Sequence, residues 1–532
     1  MRLDLLLRGG TVIDGTGGPP RTGDVGVAGG RIVLPPPGAE AETVYNASGL
    51  VVAPGFIDAH THSDAVALLR PEDPDLTLAA VRQGVTTEIA GNCGKGLFPA
   101  LPSRLDDVRR ESRIGFGGAV EPHADFRGFA AAHTAAARAN HITSLVGHGT
   151  LRAGVLGYAD RAATQDELAE MCRLLDAALA DGAPGLSTGL IYTPGTYADT
   201  AEVAALAAVT ARHGRPYVTH LRDEMSRVED ALEEAVEIAR RGGAALHVSH
   251  HKTAGVHAWG RTGTTLARLA GLRADGMDVT CDVYPYTAAS TALAAMLPPW
   301  ANDGGEPALA ARLRDPAMRD RMRTAIAEGV PGWENTVGNG GWDRISVACA
   351  PADPDAEGHA IADLAVRRGG DPLDVAAGLL LGGGGPGLAD VTIISHSMRE
   401  DDVQRVLACP FSMIGSDGVP KPGLPHPRWA GTFARVLGRY VRDLGVLPLE
   451  TAVHKMTGMA AVRFGLAGRG VLRDGAHADL AVFDPAAIAD EADFPHPLRP
   501  PAGMRLVVVD GKVVVRDGAD TGARPGTVLR AA

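Results

Sequence analysis

Histidines, one cysteine and one aspartate recur in this chain where apolar runs end. Phe56-Ile57-Asp58-Ala59 leads into His60-Thr61-His62. Residues two apart on a strand point the same way, so two imidazoles at His60 and His62 can grip one ion. Later apolar runs end in Asn92-Cys93-Gly94, Gly147-His148-Gly149, His220, His250-His251, the segment Asp282–Tyr286, and Ser416-Asp417-Gly418. Imidazole, thiolate and carboxylate together suit zinc. Zinc polarises a carbonyl and lowers the pKa of water toward 7, so the chemistry implied is hydrolysis. A lone H-x-H is a weak signal; with His220, His250 and Asp417 at later strand ends it becomes specific.

These side chains converge only if parallel strands carry them to one face. The middle of the chain alternates β-type runs with helices. Val228, Ala231, Leu232, Ala235, Val236 and Ala239 follow a helical spacing between the runs 216–220 and 246–250. A second helix is expected from Asp166 to Asp181. Repeated β-then-α units imply a parallel sheet buried on both faces. Strands are expected near 51–60, 85–92, 142–148, 184–189, 216–220, 246–250, 279–284, 391–396 and 409–416. An eight-stranded (β/α)8 barrel leaves one of these nine as an extra, placed with an insertion at about 298–390 on the catalytic face. C-terminal strand ends of such a barrel converge where active sites sit. Both chain ends read instead as short strands and turns, with an Asp510-Gly511 hairpin turn near the C-terminus. The expected organisation is a small β-sandwich domain from residues 1–54 and 467–532, around a barrel at 55–466.

Composition narrows the class. The chain has 532 residues, net charge −12, 45% hydrophobic and 21% charged residues. That mix excludes disordered, disulfide-scaffold and collagen-like chains. The acidic balance argues against a nucleic-acid partner. Five cysteines without a CxxC pair indicate neither a zinc ribbon nor a disulfide framework. No signal-peptide core or membrane span is evident, so a cytoplasmic protein with no membrane partner is expected. The 68 glycines and 36 prolines are spread through apolar segments, as many short turns require.

The run PGFIDAHTHSD, later single histidines and a last-strand aspartate resemble the metal-dependent amidohydrolase superfamily. GVTTEIAGNCG, THLRDE, VSHHK, DVYPYTAAST, GSDG and HPRWAGTF look like the N-acyl-D-amino-acid deacylases (D-aminoacylases) within it. The resemblance covers nearly the whole chain. Many superfamily members bridge two metals with a carboxylated lysine on strand four. Here that strand reads Gly185-Leu186-Ser187-Thr188-Gly189, and Cys93 is the implied substitute. By resemblance, Cys93, His220 and His250 hold a tight zinc, while His60, His62 and Asp417 form a second, weaker site. Asp417 would be the general base, then acid. Lys252, Tyr192, Tyr284 and Arg428 match positions that bind the carboxylate of a small N-acyl amino acid, with Tyr286 a rival to Tyr284.

Some residues keep alternatives. His148 either lines the pocket or is a packed, hydrogen-bonded histidine. His251 reads as structural, and Lys95 has no assigned role. Residues 185–189 match G-x-S-x-G, the nucleophile elbow of serine hydrolases, but Pro194 and Gly195 stand where its helix should begin. The nearest alternative function is a cyclic amidase of hydantoinase or dihydroorotase type, against which the missing strand-four lysine counts. A relative recruited to another amide in biosynthesis is a further alternative. Side-chain preference and oligomeric state are left open by the sequence.

Overall fold

In the computed structural model, described for all residues except 1, 37, 70–72, 110–119, 383–387, 389 and 390, the strands of the middle region close into a barrel. Its eight strands are Phe56–Asp58, Val85–Ala90, the interrupted strand His141–Ser144 with Val146–Gly147, Leu186–Gly189, Tyr217–His220, Leu246–Val248, Val279–Val283 and Ser412–Ile414. Each pairs in parallel with the next. The ring closes where Ala59 N–H donates to Ile414 O (3.3 Å) and Asp417 N–H donates to His60 O (2.8 Å). That closure brings the first and last sets of candidate ligands side by side.

Strand ends are set by the sequence locally. The expected strand 51–60 divides at Gly55, where an added Cβ would lie 2.2 Å from Thr86 side-chain atoms. Val51–Pro54 joins the terminal β sheet and Phe56–Asp58 opens the barrel. Period-two alternation sorts the faces: Tyr217 packs outward under the helices, while Val218 points inward. His220 stands two residues above Val218, on the same side, at the strand's C-terminal end. The opposite end of the barrel is plugged by Ala460, Phe464, Leu466 and Leu529 around Ile57, Ile89, Leu145 and Met413.

The expected helices are present. Val228–Gly242 buries Ala231, Leu232, Ala235, Val236 and Ala239 and ends at Gly243, whose φ of 68° gives a left-handed cap. Gln165–Ala180 starts with a capping box between Thr164 and Glu167. The first and last parts of the chain share one nine-stranded sheet, joined where Val51–Pro54 pairs antiparallel with Leu480–Phe483. Val52, Leu480, Val482, Leu506 and Val508 face that sheet's own core; Ala53, Phe483, Val507 and Val509 face the barrel. The Asp510-Gly511 turn forms with φ of 45° and 77°, the backbone that a two-residue hairpin requires.

The ninth candidate strand, Thr392–Ser395, lies outside the barrel. It forms a three-stranded antiparallel sheet with Ala289–Ala292 and Ile345–Cys349. Ala289–Ala292 and the central Thr392–Ser395 flank the 298–390 stretch, Ile345–Cys349 lies within it, and the sheet sits with a separate apolar core that includes Leu297, Leu309, Val347 and Ile361. No helix among the described residues is long and apolar enough to cross a membrane.

Candidate metal centre

Cys93 Sγ lies 3.4 Å from His60 Nε2, 3.3 Å from His250 Nε2 and 3.7 Å from His220 Nδ1. Asp417 Oδ1 lies 3.5 Å from His60 Nε2 and 3.1 Å from His62 Nε2. The topology thus brings together all six candidate ligands from five strand ends, and all are buried. The donor spacing fits zinc. Bond lengths of about 2.3 Å to sulfur and 2.05 Å to nitrogen place a thiolate and an imidazole on one tetrahedral ion about 3.5 Å apart. Ligand atoms of His60, Cys93, His250 and Asp417 all fall within 4.8 Å of one another. Cys93 touches both groups of histidines, so the two sites expected from sequence meet at its sulfur.

Charge follows the geometry. Burial opposes ionisation of Cys93, but His250, His60 and hydrogen bonds from His220 and His250 hold its thiol well below the usual range. Burial likewise opposes ionisation of Asp417, yet Arg428, His250 and His60 keep its carboxyl well below the ordinary value. Three of these residues adopt left-handed backbone: Cys93 at φ 53°, His250 at 34° and Asp417 at 50°. Such conformations cost about 1–3 kcal/mol each and persist only where neighbours fix them. Here Asp282 Oδ1 accepts the His250 N–H (2.9 Å), and Asp58 Oδ1 accepts the Ser416 N–H (2.8 Å).

Two carboxylates that the sequence reading left without a role orient the imidazoles. Asp282 Oδ2 meets His60 Nδ1 at 3.4 Å and His247 Nε2 at 2.8 Å. Glu224 meets His250 Nδ1 at 3.1 Å and His220 Nε2 at 3.5 Å. A carboxylate behind a metal-facing histidine fixes its ring and raises its basicity. Glu224 sits four residues after His220 in THLRDE and Asp282 heads DVYPY, so both stood in quoted motifs.

A cavity opens above the cluster, as small-molecule sites do. Tyr192, Lys252 and Tyr284 line it. Lys252 Nζ is 2.6 Å from Glu224 Oε2, and Thr291 on the strand Ala289–Ala292 donates to the Tyr192 hydroxyl (3.1 Å). Arg428 stands behind Asp417 instead of on the cavity wall: Nη1 is 2.9 Å from Asp417 Oδ2, and the guanidinium lies 4.6 Å over the Tyr284 ring. Lys95 lines the cavity and lies 4.6 Å over the Tyr192 ring. Tyr286 is packed against Arg435 and His426. His148 bonds Glu202 (2.8 Å) and His251 bonds Thr265 (2.8 Å), as packed histidines do. The strand-four G-x-S-x-G is followed by turns and a 3₁₀ segment, so no nucleophile elbow forms, and Ser187 is fully buried.

Glu334 of the insertion also faces this wall, and its Oε2 accepts the Glu224 N–H (2.6 Å). Burial, with Glu224 and Asp223 nearby, pushes its carboxyl from 4.5 up to about 8. Between those values the folded chain keeps a proton that the unfolded chain has lost, so stability falls as pH rises through the window. Glu334→Gln should leave the melting temperature unchanged near pH 4 and raise it near pH 8. Thermal melts of both proteins at the two pH values check this.

An amidohydrolase family model matches residues 43–515. The chain belongs to this family. It is 41% identical to a D-aminoacylase of Alcaligenes xylosoxydans xylosoxydans, over 99% of this chain and 97% of that one. Its structure is similar to that of N-acyl-D-glutamate deacylase from Bordetella bronchiseptica, complexed with zinc and a phosphonate mimic of the reaction's tetrahedral intermediate. The TM-score is 0.84, with 37% identity and full coverage of both chains. A D-aminoacylase solved to define the functional role of its binuclear metal centre matches with a TM-score of 0.82 and 39% identity, over 99% of this chain and 100% of that one. Family membership establishes this chain as an amidohydrolase with a (β/α)8 barrel.

Proposed function

We propose that this chain is a zinc-dependent deacylase of N-acyl-D-amino acids. It adds water across the amide of a small N-acyl-D-amino acid and releases a carboxylic acid and a D-amino acid. The observation that carries this reading is the Cys93 sulfur set among His60, His220 and His250 at zinc-donor spacing. The likeness to D-aminoacylase and to a zinc-bound N-acyl-D-glutamate deacylase supports it.

Cys93, His220 and His250 would hold a tight zinc, and His60, His62 and Asp417 a second, weaker one. Bound there, zinc would polarise the scissile carbonyl and make water a stronger nucleophile near neutral pH. Asp417 accepts the proton from the attacking water and returns it to the leaving amine nitrogen. Arg428 keeps Asp417 ionised and so able to accept that proton. Lys252, Tyr192 and Tyr284 on the cavity wall receive the substrate carboxylate, and Arg428, stacked on Tyr284, supports that wall from behind. Asp282 and Glu224 hold the imidazole rings in place. In this reading residues 1–54 and 467–532 form the β domain around a barrel domain at 55–466, the insertion roofs the cavity, and the enzyme works in the cytoplasm without nucleic-acid or membrane partners.

Metal removal tests this reading. Dialysis against a strong chelator should abolish release of D-methionine from N-acetyl-D-methionine, and added zinc should restore it. Full turnover in protein shown to be free of metal would contradict the reading.

A further inference from the structure

Strand four carries a motif that the proposed mechanism does not use. Its hydroxyl is bound on both sides by the Cys93 loop: Ser187 Oγ–H donates to Gly91 O (2.5 Å), and Gly94 N–H donates to Ser187 Oγ (3.1 Å). One buried hydroxyl thus spans the four residues that contain Cys93. That loop cannot hold its shape by propensity alone. Gly91, Cys93 and Gly94 adopt φ of 72°, 53° and 76°, and the Cys93 conformation is disfavoured for any side chain larger than hydrogen. Gly189 completes the seat, since a Cβ there would fall 2.2 Å from the Cys93 carbonyl oxygen. Thr150 N–H closes the loop from the neighbouring strand end by donating to Gly94 O (3.2 Å).

We propose that Ser187 is a positioning residue for the metal, acting through the Cys93 loop. Strand four then contributes to the metal site without supplying a ligand, and its G-x-S-x-G pattern serves close approach of two backbones in place of nucleophilic attack. The proposal rests on the reading of Cys93 as a zinc ligand. Losing the hydroxyl leaves Gly91 O without its donor and Gly94 N–H without its acceptor, both buried. The sulfur is then no longer fixed at its distance from the three imidazoles. Outer partners of metal ligands typically change affinity about 10–100-fold when removed.

Zinc affinity measured by chelator competition on the full chain tests this, with no recourse to turnover. Four proteins are compared: wild type, Ser187→Ala, Thr188→Val and Cys93→Ala. Thr188 lies on the same strand but bonds the Thr219 and Tyr217 hydroxyls, away from the loop. Ser187→Ala should bind zinc about 10–100-fold more weakly, and Thr188→Val should match wild type. Wild-type affinity in Ser187→Ala, with Cys93→Ala weakened, overturns the role of Ser187 alone. An equal loss in Thr188→Val overturns it too, because any disturbance of the strand would then suffice. Wild-type affinity in Cys93→Ala overturns the zinc reading beneath it. Should Ser187→Ala not fold, Gly189→Ala presses on the same loop from the Cys93 carbonyl side, and unchanged zinc affinity there overturns the proposal.

Discussion

Asp417→Asn should lower kcat by about 10²–10⁴-fold while KM for the N-acyl-D-amino acid changes far less. Asparagine keeps the size of the side chain but loses the ability to take a proton. The carboxylate stands within 3.5 Å of His60 Nε2 and 3.1 Å of His62 Nε2, and 2.9 Å from Arg428 Nη1. It therefore sits where water delivered to the metal cluster must give up a proton. The same substitution leaves the buried Arg428 guanidinium without its counter-charge, so the melting temperature should fall as well. Steady-state kinetics with circular dichroism on the folded variant separates the two effects. Near-normal kcat in folded Asp417→Asn would remove this residue from the proton transfers.

Cys93→Ala should be the most damaging change to metal binding. The sulfur lies 3.3–3.7 Å from ring nitrogens of His60, His220 and His250 together. Its removal takes away the negative charge that makes three clustered imidazoles tolerable beside a cation. Zinc content by metal analysis should drop from the wild-type value to near zero for the tight site, with turnover falling in parallel. A variant that keeps both its zinc and its turnover would refute the assignment of Cys93. Among the described residues the other cysteines form no disulfide, and Cys281 and Cys409 hydrogen-bond each other beside Lys455.

The convergence of the candidate ligands was legible because a parallel barrel sends every strand's C-terminal end to one face. Run ends supplied His60, His62, Cys93, His220, His250 and Asp417 among other polar residues, and the family resemblance singled these six out as the expected ligands. Asp282 stood at a run end without an assigned role and Glu224 was not singled out, for a physical reason. They act through imidazole rings, and the contact between His60 and Asp282 is made across 222 residues by closure of the barrel. No local pattern announces it. Arg428 shows the same limit: eleven residues past Asp417 on the chain, it could face either the cavity or the carboxylate, and packing over Tyr284 directs it to the carboxylate. The extra strand at Thr392–Ser395 has the apolar content of a barrel strand; only its antiparallel pairing with Ala289–Ala292 and Ile345–Cys349 reveals it as part of the insertion. The helices and the Asp510-Gly511 hairpin were legible because their signals are local.

Stereochemical preference is the most direct measure of the central claim. Purified zinc-loaded protein is given N-acetyl-D-methionine and N-acetyl-L-methionine separately, and the free amino acid released is quantified. The proposed function predicts hydrolysis of the D enantiomer and a far lower kcat/KM for the L enantiomer. Equal hydrolysis of the two, or preference for the L form, would contradict it.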